Sequence, residues 1–472
     1  MNSKILRSKI LTRRFLNKMK KLLILFLLFS KNLQAQQTLS VIDFLAMVKN
    51  NHPIAKQAEL LKADAAAQRM AARGAFDPKL IGDWQAKQFE EKRYFQTAEY
   101  GVKVPTWFGV ELKGMYKTAK GDFLNPEEKL PKIGQAVVGI SAPLLQGLLI
   151  DERRAGLFRA RIVENANENE RRIILNNLLL DAAKAYFEWN FAARQLKIQE
   201  KAVGLAEKRL SDLKESFRLG DKPAVDTLEA FIQVQERIFD FNEAKLSFQN
   251  ENLQLSNFFW SPKQQPLTAN PNLQPAPILS NETTPFLQSD VNNLVENHPE
   301  WLQYQYKRKQ LEIDRRLKQD KLKPKLNVEY NLLGNGTDFL SNALLQNYRY
   351  GVNFSFPILI RQERGNLQIA QIKLDNTDLQ QKNKQLELQN KINGYFNELN
   401  TNQKQLDIFN KVIKSYEQLL DAENQKFSIG ESSVFLVNAR ERKLIETQLK
   451  LIKLEINQQK LYYGLKWAAG KM

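Results

Sequence analysis

The chain has 472 residues, 43% hydrophobic and 26% charged, with no cysteine and a formal net charge of +18. Without cysteine there is no disulfide framework, no thiolate metal site and no thiol for lipid attachment at a processed N-terminus, so stability must come from packing and assembly. The two histidines, His52 and His298, each precede a proline in what reads as a helix-entry turn. Neither a metal site nor a cofactor is expected.

At the N-terminus a basic stretch, the apolar run Leu22–Phe29 and Leu33-Gln34-Ala35 before Gln36 make the pattern of a secretory signal peptide over residues 1–35, with Met19 as an alternative start. The apolar run is too short to span a bilayer as a helix. The leader carries nine Lys/Arg and no acid, so its removal lowers the net charge from +18 to +9 and weakens the electrostatic case for nucleic acid. No later stretch approaches the roughly 18 apolar residues of a membrane helix. A membrane role would require strands.

The remainder is a tandem duplication. Asn51-His52-Pro53 returns as Asn297-His298-Pro299, Pro78-Lys79-Leu80 as Pro324-Lys325-Leu326, and Phe217-Arg218-Leu219-Gly220 as Phe427-Ser428-Ile429-Gly430. The first two matches lie 246 residues apart and the third 210, so repeat one carries 36 extra residues between Pro78 and Pro143. Repeat one (36–260) reads as a helix from Pro53, a strand region at about 79–144, a long helix over 148–218 and a helix over 223–259. A proline-rich linker, expected to be irregular, follows at 261–285. Repeat two (286–472) gives a helix from Pro299, strands at about 325–357, a long helix over 361–427 and a helix over 434–468.

In the second long helix Ile392, Leu399, Leu406, Ile413, Leu420 and Phe427 recur every seven residues, with Tyr395, Phe409 and Tyr416 three positions on. Ala182, Trp189, Leu196, Val203, Leu210 and Phe217 repeat that register in the first half. Sustained heptads imply supercoiling against neighbouring helices. Asn402 and Glu423 interrupt the companion row, which suggests partly wetted seams. In the strand regions Leu326, Val328, Tyr330 and Leu332 alternate with polar residues, as do Tyr348, Tyr350, Val352, Phe354 and Phe356. Repeat one alternates less strictly through Tyr100, Val102 and Val104, then Val110, Leu112, Gly114 and Tyr116, then Ala136, Val138, Ile140 and Ala142. One face suits lipid and the other water, with Trp84, Trp107, Tyr330 and Tyr348 as candidate interfacial aromatics. A half-buried soluble sheet alternates in the same way. Four strands leave unpaired edges that lipid does not tolerate, so a membrane sheet would need sister chains to close it.

This duplicated order of strands and long helices resembles the TolC family of outer-membrane efflux proteins over essentially the whole mature chain. The resemblance implies a mainly α fold with membrane β: a homotrimer sharing one 12-stranded β-barrel, four strands per chain, continued by a periplasmic α-helical barrel. It implies a passive outer-membrane channel with no enzyme activity and no nucleic-acid partner, working with a periplasmic adaptor and an inner-membrane transporter. The family docks adaptor hairpins at its helix turns, a role that falls here on Phe217, Leu219, Gly220, Phe427, Ile429, Gly430 and Val434. Several members narrow the periplasmic mouth with acids after the second-repeat glycine. This chain has Leu436 and Ala439 there and keeps acids only in repeat one, Asp226 and Glu229, which implies an apolar constriction. The extra 36 residues read as an additional strand pair near Tyr94–Pro105 and Val110–Thr118, which either lengthens an extracellular hairpin or adds strands to the barrel, giving 12 or 18 strands in a trimer; 12 is expected because the flanking strands alone reproduce the repeat-two pair.

Two other classes compete. A secreted periplasmic coiled-coil adaptor or envelope spacer explains the helices but not strand pairs recurring at one point in both repeats. An enzyme has only carboxylate pairs such as Glu90-Glu91 and Glu127-Glu128, adjacent in sequence and readily solvated.

Overall fold

The computed structural model describes residues 38–270, 272–277, 287–336 and 346–472. The expected signal peptide and the end of the expected linker lie outside the described residues. The elements run β1 (Thr38–Leu39), α1 (Val41–Asn51), α2 (Pro53–Gly74), β2 (Lys79–Phe89), β3 (Lys92–Pro105), β4 (Glu111–Lys120), β5 (Gln135–Pro143), α3 (Glu152–Arg218), α4 (Ala224–Ser256), β6 (Gln274–Pro275), α5 (Val291–Glu296), α6 (Pro299–Asp320), β7 (Lys325–Asn335), β8 (Tyr348–Ser355), α7 (Arg361–Ser428) and α8 (Val434–Ala468).

The duplication is visible element by element. α2 and α6 both have 22 residues, α3 and α7 have 67 and 68, and α4 and α8 have 33 and 35. At about 1.5 Å per residue each long helix extends roughly 100 Å. The long helices start at Glu152 and Arg361, the first of them later than the heptad pattern alone suggests, because Leu144–Ile150 still hangs on the sheet: Leu144 N donates to Leu326 O and Gln146 N to Pro324 O.

The chain divides into two compact units. Among the described residues, one comprises those within 38–53, 179–277 and 398–463, the other those within 54–178, 287–397 and 464–472. In the first, aromatic packing supplies the core. Phe44, Tyr186, Phe187 and Trp189 are fully buried, with ring centroids 5.8 Å apart for Phe44 and Tyr186, 5.6 Å for Phe44 and Phe259, and 5.6 Å for Tyr186 and Trp189. The Tyr186 hydroxyl donates to Leu39 O at 2.8 Å, and burial pushes its pKa up to about 12. That bond ties β1 to α3, and β1 in turn pairs in parallel with β6. The linker is thus not wholly irregular: its Gln274-Pro275 completes a strand pair.

The seams of this unit carry buried polar pairs. Asn402 is buried, donates to Leu454 O at 3.0 Å and Gln458 Oε1 at 2.8 Å, and accepts from Asn457. Glu423 accepts from the Ser432 hydroxyl at 2.6 Å. The interruptions in the heptad row are therefore satisfied within the protein rather than wetted, as buried polar groups must be.

The second unit holds one six-stranded antiparallel sheet in the order β2-β3-β4-β5-β7-β8, with β5 and β7 joining the two repeats. At its helical end His298 caps α6, its Nδ1 accepting from Glu300 N at 3.1 Å, so the helix-entry role read from His298-Pro299 is the one it fills.

Candidate channel-forming sheet and helix tips

The register of the sheet sorts its side chains completely. Directly opposed residues share a face, and following the pairs across the strands puts Leu80 and Trp84 with Val102 and Tyr100, then Leu112, Ile140 and Val138, then Tyr330, Val328 and Leu326, then Tyr350, Val352 and Phe354. Leu80, Trp84, Tyr100, Val102, Leu112, Val138, Ile140, Tyr350, Val352 and Phe354 are all exposed. The opposite face carries Asp83, Glu99, Lys113, Lys117, Asn331 and Arg349, and buries Met115, Val137 and Asn331. A continuous exposed apolar face of this extent is unlike a soluble surface. Of the expected interfacial aromatics, Trp84, Tyr330 and Tyr348 lie on it, and Trp107 is exposed in the turn between β3 and β4.

The expectation that only the strands flanking the extra pair join those of repeat two is corrected here. β3 and β4, the extra pair of repeat one, are hydrogen-bonded between β2 and β5 in unbroken register and continue the same two-faced pattern. They are full members of the sheet, which has six strands. β2 and β8 are its edges, with no further strand paired to either among the described residues.

The two helix turns are built alike. After α3, Gly220 N donates to Phe217 O at 3.0 Å and Asp221 N to Ser216 O at 2.9 Å; after α7, Gly430 N donates to Phe427 O at 3.2 Å and Glu431 N to Lys426 O at 2.8 Å. This pair of bonds is the Schellman closure, which requires a left-handed residue. The glycines supply it with φ of +86° and +81°. Leu219 and Ile429 are exposed and Phe217 is half exposed, whereas Val434 is fully buried in a cluster with Leu213 and Ala230, against which Phe427 packs. Lys222 Nζ sits 4.6 Å over the Phe427 ring. Of the expected tip set, then, Phe217, Leu219, Gly220, Ile429 and Gly430 form a surface, and Phe427 and Val434 lie beneath it.

Asp226 and Glu229 fall in the first turns of α4, both half-buried; Leu436 is exposed and Ala439 half-buried in α8. Beside them is a charge group that sequence reading missed. Arg209 meets Glu441 at 2.6 Å and Asn438 Oδ1 at 2.8 Å, with Glu441 only 4% exposed. Its signal in the sequence was a glutamate on an otherwise apolar helix stripe. The Ser432 hydroxyl, with Arg440, holds Glu423 below the usual carboxylate range.

No helix among the described residues is long and apolar enough to cross a membrane. The sequence model of the outer membrane efflux protein family matches residues 291–471. No curated protein matches the chain. Among solved structures it is similar to the CmeC outer membrane channel of Campylobacter jejuni, 14% identical, with 91% of this chain and 85% of that one covered and a TM-score of 0.63. It is also similar to VceC of Vibrio cholerae, 14% identical, covering 91% and 96% at a TM-score of 0.64. The open MtrE channel of Neisseria gonorrhoeae is again 14% identical, covering 91% and 88% at 0.65. The family's sequence model thus covers the second repeat, and the chain shares the fold of these channels over nearly its whole length.

Proposed function

We propose that this protein is the outer-membrane channel of a tripartite efflux system, passively conducting substrates delivered by an inner-membrane pump and a periplasmic adaptor. The observation that carries this reading is the six-stranded sheet with one exposed apolar face and two open edges. An open edge is costly in hydrocarbon, and closure into a barrel removes it. Three copies contribute eighteen strands, an even number within the range of outer-membrane barrels. A second feature supports a homotrimer: Val225, Ile232, Phe239, Leu246 and Leu253 recur every seventh residue along α4 and are each at least half exposed. That is a coiled-coil seam left uncovered by the described residues of one chain.

The division into a signal peptide (1–35), repeat one (36–260), a linker (261–285) and repeat two (286–472) belongs to this reading. Energy coupling resides in the pump. Phe217, Leu219, Gly220, Ile429 and Gly430, supported from beneath by Phe427 and Val434, receive the adaptor, and Asp226, Glu229, Leu436 and Ala439 line the periplasmic mouth. A poreless coiled-coil spacer explains the helices but assigns no role to the apolar sheet face.

Recovery of the processed protein from outer-membrane fractions as a heat-modifiable trimer tests this reading. Cysteines on the β2 and β8 edges of this cysteine-free chain should cross-link neighbouring copies into a covalent trimer. A detergent-independent monomer would refute it.

A further inference from the structure

On the sheet face opposite the apolar one, Lys79, Lys103, Lys113, Gly139, Asn331 and Arg349 follow one another across all six strands, each directly opposed to the next. Four of these six positions are cationic and none is acidic. Like charges directly opposite one another in an antiparallel pair are destabilising, so the consecutive lysines Lys79, Lys103 and Lys113 cost stability that folding alone gives no reason to accept.

The acids of the same face cancel one cation of the row, Lys113, and leave the others. Glu329 is held by Lys113 at 2.8 Å, Glu99 by Lys117 at 2.9 Å and Glu111 by Arg153 at 3.7 Å. Asp83 stands opposite Glu99, one pair of rows away from Lys79. Among the described residues no carboxylate forms an ion pair with Lys79, Lys103 or Arg349. At the helix-proximal end of the sheet a recess of about 440 Å³, lined by Lys318, Lys321 and Lys325 with Glu363, continues the cationic surface. Lys321 is occupied there by Glu152 at 2.6 Å.

We infer that the barrel lumen selects anions, and that the cargo of this channel carries carboxylate, sulfate or phosphate groups. The inference rests on the channel reading above, in which the polar sheet face lines the pore. Three copies then place nine row cations that form no ion pair among the described residues, Lys79, Lys103 and Arg349 of each chain, around one lumen. A low-dielectric wall focuses their field on the water inside and raises the local concentration of anions. β3 and β4 supply Lys103 and Lys113, two of the row's four cations, of which Lys113 is paired with Glu329.

The test is the zero-current potential of the purified trimer in planar bilayers under a KCl gradient. Wild type should prefer chloride. Lys79→Gln with Lys103→Gln, which leaves every ion pair above intact and relieves repulsion, should lower the anion-to-cation permeability ratio by about twofold or more. Lys103→Glu, placed between Lys79 and Lys113, should fold with new pairs and shift the preference towards potassium. Cation preference or indifference in wild type, or potentials untouched by both variants, would overturn the inference while leaving a channel. Absence of any conductance from an intact heat-modifiable trimer would instead overturn the channel reading and this inference with it.

Discussion

Replacing Arg209 with methionine isolates the energetics of the helical unit. Glu441 is 4% exposed, and Arg209, itself largely covered, is its cation at 2.6 Å. Removing one member of a buried pair strands the other's charge, which costs about 3–5 kcal/mol. Loss of the Asn438 contact at 2.8 Å adds to this, whereas methionine keeps most of the apolar stem of arginine in place. The opening equilibrium of the start of α8 should therefore shift by about two to nearly four powers of ten, since 1.4 kcal/mol is a factor of ten. Hydrogen exchange of the amides around residues 437–445, followed by mass spectrometry on detergent-solubilised protein, reads that shift directly. The double variant Arg209→Met/Glu441→Leu removes both charges and should return protection to within about 1 kcal/mol of the parent, because an apolar pair of similar volume commonly replaces a buried ion pair at little cost. Unchanged exchange in Arg209→Met, or a double variant as labile as the single one, would refute the reasoning.

Acid should weaken the α6 end of the sheet unit. His298 is buried and its Nδ1 accepts from Glu300 N, and burial, opposed in part by Glu300, holds its pKa below 6.5. The folded state then resists a proton that the unfolded state accepts, so stability is intact above pH 6.5 and falls as pH drops below it, until the folded-state pKa is passed, by up to about 1.4 kcal/mol per pH unit. His298→Asn keeps a capping side chain and should flatten that slope in pH-dependent thermal melts; an identical acid slope would exclude the role. At the helix turns Gly220→Ala and Gly430→Ala meet no atom within 4 Å. Each should nonetheless cost about 1 kcal/mol through the positive φ alone, seen as faster exchange confined to its own turn. In the sheet, a Cβ on Gly101 would collide with the backbone of Gly114 and Met115. Gly101→Val should therefore reduce assembly of the heat-modifiable trimer severely, and normal assembly would show that β3 and β4 do not pair as described.

Much of this architecture was legible because it was written twice. The repeated Phe-x-x-Gly turns, the heptads of α3 and α7 and the strict alternation of β7 and β8 each leave a periodic trace that local chemistry explains. The strand number was misjudged for a physical reason. β2 and β3 are joined through Glu90-Glu91, both at positive φ, a tight turn that asparagine and glycine normally signal. The extra pair, β3 and β4, was read as strands, but the strands flanking it already reproduce the repeat-two pair, so no periodic signal required it to lie between them. Alternation in β4 is also diluted by Gly114 and by Met115, which is buried on the polar face. At the tips, the buried pair of Arg209 and Glu441 was hidden because a seven-residue period reports which face is covered and says nothing of which cations reach across to it. The bonds that bury Asn402 were missed for the same reason.

The two extra strands change what the proposed pore can discriminate. The repeats keep helices of matched length, 67 and 68 residues and 33 and 35, so the additional chain length went into the strand region. Barrel diameter grows roughly linearly with strand number, so three six-stranded sheets enclose a barrel about one and a half times as wide as three four-stranded ones. A wider lumen loses steric selectivity, because a permeant no longer touches the wall on all sides. What remains is the field of the wall, which acts over a Debye length of about 8–10 Å at physiological salt. The same strands that widen such a barrel introduce Lys103 and Lys113 into its cationic row. Width and charge therefore arrive together: the segment that relaxes selection by size supplies the means of selection by sign. A variant trimmed of residues 92–120 should lose both, passing smaller permeants with weaker anion preference, and one that narrows while keeping its full preference would separate the two and place the selecting charge elsewhere.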